Sequence, residues 1–295
     1  MDWWTRLVRR LQGGLIGRSH HTRLVQGTAR TLIGRELELD QAEALAKRLG
    51  SDATEMAAVL SEMLRSEEAR RYAAPPLLLD AASINARTCF ISLGTHCFTA
   101  SLLQRWGLRS WSGPFDWLFA SPSMLTHALD DDFATLLNRR YYHEVPVEER
   151  PNGPDVNRVE HLFYRDEHRV SYVFNHHDVH RDEGHAYLVR CVERLRAQLA
   201  ADTHKTFLLL RRAEHAKTRE IVELQQALAR RTSNFRLCAF LVAKRQSTPL
   251  PRADIIRCDE TLSMWRYHPC STWHALYFDS PLDEVSLLRL ASAPS

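Results

Sequence analysis

The chain has 295 residues, 44% of them apolar and 25% charged, with a net charge of +3. This is an ordinary globular composition with enough length for a full core, and the near balance of charge makes no electrostatic case for nucleic acid. No apolar run approaches the about 18 residues of a spanning helix, the start Met1-Asp2-Trp3-Trp4-Thr5-Arg6 has no apolar leader, and six scattered cysteines form no CxxC pair, which argues against a zinc ribbon or disulfide framework. The expected location is therefore a reducing cytoplasm.

The first elements read as helices. Trp3, Trp4, Leu7, Val8 and Leu11 share a face, with Arg6, Arg9 and Arg10 between them. Residues 1–12 are thus the segment suited to weak contact with a membrane surface, although packing on the protein's own body is the commoner fate of such a face. Further helical patterns cover residues 24–33, 41–49 and 54–69, the last with Asp52 as N-cap and Glu55 completing a capping box. Ala73-Ala74-Pro75-Pro76 marks a boundary. The predicted organisation is an all-helical accessory module over residues 1–75 and a second domain over 86–295.

From residue 88 onward, strand and helix patterns alternate. Strands are expected at 89–93, 206–210, 237–243 and 254–258, with a further one at 275–278. Helices are expected at 97–106, 121–137, 187–199, 220–230 and 281–290. Residues 161–166 and 169–174 flank a polar turn and read as a β-hairpin. Continuous apolar strands between amphipathic helices predict an α/β domain built on a mostly parallel, Rossmann-like sheet with helices on both faces. Sites in such sheets lie at the carboxyl ends of strands.

Ser92-Leu-Gly-Thr-His-Cys97 falls at such an end. Backbone N–H groups at a helix start are unpaired and partially positive, so a cysteine there is expected to form a stabilised thiolate and the N–H groups to hold an oxyanion. A buried core cysteine is the competing reading. A base is needed within reach. Phe174-Asn-His-His-Asp-Val-His180 supplies His176 and His177, with Asp178 beside them, and Trp111-Ser-Gly-Pro-Phe-Asp116-Trp117 supplies a carboxylate between aromatics. Histidine and aspartate also suit a transition metal, but no regular ligand spacing appears, so no metal is predicted. Near the C-terminus, Trp273-His274 offers an alternative base of the kind SGNH-type hydrolases use, with His268 behind it. Arg211, at a predicted strand end, offers a cation to an anionic substrate.

Two resemblances add to this. Leu32-Ile33-Gly34-Arg35-Glu36 and Leu64-Arg65-Ser66-Glu67-Glu68 resemble a small helical module often found next to glycan-related enzymes. More specifically, the Ser92–Cys97 run, then Leu103-Gln-Arg-Trp-Gly-Leu-Arg109, Gly113-Pro-Phe-Asp-Trp117, Phe174-Asn-His-His-Asp178 and Lys205-Thr-Phe-Leu-Leu-Leu-Arg211 occur in one order. Together they resemble a bacterial family of unknown function catalogued as papain-like cysteine peptidases. The likeness covers about residues 88–245. It implies Cys97 as nucleophile, His177 as base and Asp116 or Asp178 as the orienting group. The glutamine that true papains carry six residues before their cysteine has no counterpart, since Ile91 stands there.

These readings converge on a thiol enzyme that forms an acyl-Cys97 intermediate on a peptide, ester or glycan substrate. Its base is His177, with His274 and His176 as alternatives. Gly94, Thr95, Phe98, Trp117 and Arg211 are expected around the oxyanion and the substrate. No cofactor is expected, beyond acyl-CoA as co-substrate if the reaction is acyl transfer to a surface glycan in polysaccharide biosynthesis. The opposing reading is a non-catalytic binding or scaffolding protein, with Cys97 in its core.

Overall fold

The computed structural model describes residues 22, 25–26, 37–48, 62 and 88–293, apart from 249 and 275. Of the N-terminal expectations, only helix α1 (Leu39–Arg48) falls wholly within these residues. It packs Ala42 and Ala46 against Val25. The amphipathic segment 1–12, the capping box at 52–55 and the proline boundary at 75–76 lie outside the described residues.

The second region is built on five strands: β1 (Cys89–Ser92), β4 (Lys205–Arg212), β5 (Phe235–Val242), β6 (Arg252–Cys258) and β7 (Leu262–His268). They lie in the order β1-β4-β5-β7-β6. The first four positions are mutually parallel, and β6 runs antiparallel along the far edge. The sheet is therefore mixed α/β and mostly parallel. Among the described strands the order proceeds from β1 to one side only, and shows no reversal around β1 of the kind that marks a doubly wound Rossmann sheet.

Period-2 alternation sorts the apolar strands between two cores. Phe207, Leu209, Leu237, Ala239 and Leu241 enter one of them. Leu208, Leu210, Cys238, Phe240 and Val242 enter the other. Helices α3 (Pro122–Asp130), α5 (Asp182–Ala200) and α6 (Thr218–Arg231) cover the first face with Met124, Val192 and Leu224. Helices α2 (Phe98–Arg105) and α7 (Pro281–Ser292) cover the second with Leu102 and Leu288. Burial on both faces is why these strands read as unbroken apolar runs.

Two expectations are corrected. In place of the expected hairpin, β2 (Tyr142–Glu144) pairs antiparallel with β3 (Val159–His161), and the chain then enters α4 (Leu162–His168). His161 caps that helix, its Nδ1 accepting from the Tyr164 N–H at 3.4 Å, and Arg169 ends it in a left-handed conformation. A seven-residue aromatic run suits either state by pattern, and the caps decide. The strand expected at 275–278 is reduced to one bridge, between Trp273 and Phe278.

Candidate functional site

The strand β1 ends in a turn that only a few residues tolerate. Gly94 (φ +66°) and Thr95 (φ +88°) are both left-handed. A Cβ on residue 94 would stand 2.5 Å from the Phe115 carbonyl oxygen, so glycine is required there by contact as well as by conformation. That close approach docks the Gly113–Trp117 motif onto the end of β1. The Thr95 hydroxyl donates to the Leu210 carbonyl at 2.5 Å, which anchors the turn to β4. Cys97 follows at the N-cap position of α2, and its side chain is almost fully buried, with 5% of its surface exposed.

The third motif arrives through backbone pairing. Leu118 bridges Phe174, and the Phe119 N–H donates to the Val173 carbonyl at 3.0 Å. This places Asn175 beside Cys97, where its amide pulls the thiol pKa down. Asn175 Oδ1 accepts from the Asn157 N–H at 2.9 Å, which fixes its Nδ2 as the donor. That same Nδ2 lies 3.0 Å from His176 Nε2. The Asn175 amide thus faces the His176 imidazole. His177 rests on the Tyr187 ring, 4.9 Å between centroids, and its buried Nε2 has no hydrogen-bond partner among the described residues.

Electrostatics here differ from the sequence expectation. Burial pushes the Cys97 thiol up, by more than Asn175 and its own backbone N–H pull it down. Burial likewise pushes His177 down, with help from His176, and His176 down, with help from Arg158. The resting pair is a neutral thiol and a neutral imidazole, in place of the poised thiolate that a helix start alone would give. One expected oxyanion donor is also occupied: the Phe98 N–H donates to His96 Nδ1 at 3.1 Å.

The carboxylates have other partners. Asp116 accepts from Arg109 Nε at 2.8 Å and from the Gly113 N–H at 2.9 Å. Arg109 also reaches the Ser112 hydroxyl and lies over the Trp117 ring at 5.4 Å. Asp116 is thereby committed to a clasp that shapes its own loop. Asp178 pairs with Arg181 at 3.0 Å. His274 is exposed and pairs with Asp279 at 2.8 Å, and His268 pairs with Asp254 at 2.9 Å. The C-terminal segment reaches the cysteine loop through Trp273, whose ring lies 5.0 Å from that of His96 and 5.4 Å from that of Phe98. Asn175, His96 and Trp273 lie within the sequence motifs but carry no role read from them. The signal for Asn175 is its place in Phe-Asn-His-His-Asp, beside the histidines that draw attention.

Thr95, His96 and Arg211 line a groove of about 720 Å³ over the carboxyl ends of β1 and β4. Cys97 does not line it; its sulfur lies behind the loop that does. Among the described residues no three metal-type side chains cluster, and no helix is long and apolar enough to cross a membrane.

A mostly parallel α/β sheet with a buried cysteine at the turn from its first strand into a helix, with an asparagine and histidines nearby, defines a class of buried-thiol α/β proteins. Within it, the chain belongs to the family described as "Putative papain-like cysteine peptidase (DUF1796)", whose model matches residues 88–247, just over half of the chain. No curated protein and no solved structure matches it.

Proposed function

We propose that the protein is a cysteine-dependent acyl hydrolase or acyltransferase working through an acyl-Cys97 intermediate, with His177 as base and Asn175 as the group that holds the sulfur. The observation that carries this reading is the Leu118–Phe174 bridge, which brings the Phe174–Asp178 motif to the cysteine loop, where the Asn175 amide favours the Cys97 thiolate. A neutral imidazole takes the thiol proton as sulfur attacks the acyl carbon. The leaving group departs with that proton, and water or an acceptor hydroxyl, deprotonated in turn by the imidazole, releases the acyl group. His177 is kept neutral by burial and has a buried nitrogen still without a partner among the described residues, both of which suit a base. Peptides, esters and glycan-linked acyl groups are the substrate classes to try, with acyl-CoA as donor in the transfer case.

The test is acyl-enzyme trapping. The protein is incubated with p-nitrophenyl esters of rising chain length, quenched in acid and weighed intact. The expected result is one acyl adduct, absent in Cys97→Ala and slowed about a hundredfold or more in His177→Ala. An adduct that survives Cys97→Ala overturns the assignment.

One observation favours a second reading. A thiol that is 5% exposed and pushed up by burial is also what a core cysteine of a non-catalytic binding protein looks like. Absence of any acyl adduct with every donor would favour that class.

A further inference from the structure

The groove over β1 and β4 carries a charge pattern that the acyl chemistry does not use. Its wall holds four cations, Arg169, Arg211, Arg212 and Lys217, against two carboxylates, Glu214 and Glu220. Lys217 is already neutralised by Glu220 at 2.9 Å. Among the described residues, no ion pair within 4 Å engages Arg169, Arg211 or Arg212, although Glu220, already paired with Lys217, also acts on Arg211 from farther off. The Arg211 side chain is partly withdrawn from water, and its Nε donates to the His215 carbonyl at 2.8 Å, a neutral partner. Arg212 lies over the Trp273 ring at 5.1 Å. Arg211 is partly withdrawn from water while Arg169 and Arg212 stand exposed at the rim, so the groove presents an excess of positive charge to an entering anion.

The number and the space define that anion. One guanidinium satisfies a monocarboxylate by a bidentate pair. Three with no carboxylate in direct contact fit a group with two or more negative charges, and planar guanidinium forks match phosphate oxygens. A volume of about 720 Å³ is that of a small-molecule site. The neutral donors agree. His96 spends Nδ1 as acceptor for the Phe98 N–H, which leaves Nε2 as the ring's N–H donor on the groove wall. Ser123, also on the wall, hydrogen-bonds His168 at 3.3 Å.

We propose that this groove is a binding site for a phosphate-bearing small molecule, its negative group held by Arg169, Arg211 and Arg212. Binding as such stands independently of the chemistry at Cys97. The role we give it, holding the phosphate end of an acyl donor or acceptor, rests on the acyl-Cys97 reading, because Thr95 and His96 of the cysteine loop form one side of the groove.

The experiment uses the full chain carrying Cys97→Ala, so that binding is read with no acylation. Inorganic pyrophosphate, inorganic phosphate and acetate are titrated calorimetrically at constant ionic strength. Pyrophosphate is expected to bind about tenfold or more tightly than acetate, with phosphate between them. Arg169→Gln and Arg212→Gln, both at exposed positions, should each weaken pyrophosphate by about tenfold or more. Arg169→Gln should leave the melting temperature of the free protein unchanged, and Arg212→Gln, which gives up its contact with Trp273, should lower it only slightly. Equal affinity for acetate, no binding of pyrophosphate, or binding that neither variant weakens would each overturn the site. Those outcomes leave acylation by uncharged esters untouched, and a failure of acylation leaves pyrophosphate binding untouched, so the two proposals fail separately.

Discussion

At the scale of single residues, the decisive balance is between burial and hydrogen bonding at Cys97. Burial wins, so the sulfur is protonated at neutral pH. Alkylation of Cys97 by iodoacetamide should therefore be slow at pH 7 and rise steeply only above the ordinary thiol value of about 8.5. Asn175→Ala removes an amide that favours the thiolate, so its labelling curve should move to still higher pH. The same change leaves the Asn157 N–H without its acceptor and should cost about 1–3 kcal/mol in urea unfolding. A labelling curve that Asn175→Ala leaves in place would remove Asn175 from the site. Little of this is legible in the sequence. Strand, glycine and helix around Cys97 can be read from pattern. Which neighbour touches the sulfur depends on the Leu118–Phe174 bridge, which joins segments with no mutual signal in the sequence. From its aromatic neighbours Asp116 reads as a partnered carboxylate, orienting a histidine or capping a helix, and its partner, Arg109, stands only seven residues upstream.

Elements show the same division. The interior strands announce themselves because residues such as Phe207 to Leu210 are apolar on both faces. The strand β7 escapes pattern reading because Ser263 and Arg266 interrupt its apolar run. Ser263 is nevertheless fully buried, its hydroxyl held by Arg236 Nε at 2.8 Å. Helix α4 reads as a strand because its cap is a histidine, a residue with little capping signature. That cap has a pH signature instead. His161 accepts from the Tyr164 N–H on Nδ1 and donates from Nε2 to the Thr135 carbonyl at 3.0 Å, so only its neutral form fits. Burial lowers it from 6.5 to about 4. The unfolded chain thus binds more protons than the folded one between those values. The contribution of His161 is complete above pH 6.5 and is lost as pH falls toward about 4, for a total of about 3 kcal/mol. His161→Asn keeps an acceptor for Tyr164 and cannot titrate. Denaturant unfolding at about pH 7.5 and about pH 4.5 should show a smaller acid loss in the variant by about that amount. An identical loss would contradict the assignment.

Taken as a whole molecule, the site depends on chain beyond the family match. That match ends at residue 247, yet β7 and α7 complete the sheet and its second face. Glu284 of α7 accepts from Arg105 Nη2 at 2.7 Å and from Trp106 Nε1 at 2.7 Å, pinning the helix that begins after Cys97. Its neighbour Asp283 is buried and takes the Ser271 hydroxyl at 2.6 Å, the Ser271 N–H at 3.1 Å and the Cys270 N–H at 3.0 Å. These bonds hold the segment that brings Trp273 to His96. Asp283→Asn replaces one acceptor by a donor facing N–H groups, and it should cost about 3 kcal/mol or more. Urea unfolding measures that loss. Faster labelling of Cys97 under native conditions should accompany it, since the Trp273 cover loosens. Unchanged stability would mean that the segment is held by other means.

The edge position of β1 has a consequence for how the protein is made. Among the described strands β1 pairs with β4 alone, and Thr95 and Leu210, which lock the cysteine turn, are 115 residues apart in sequence. At about 5–20 residues per second, β1 leaves the ribosome on the order of ten seconds before its partner exists. Trp106 then waits through 178 residues for Glu284. Long-range closure of this kind is slow even once the chain is free. The sulfur that the finished fold hides is accordingly accessible throughout synthesis, and its burial is among the last events of the protein's birth.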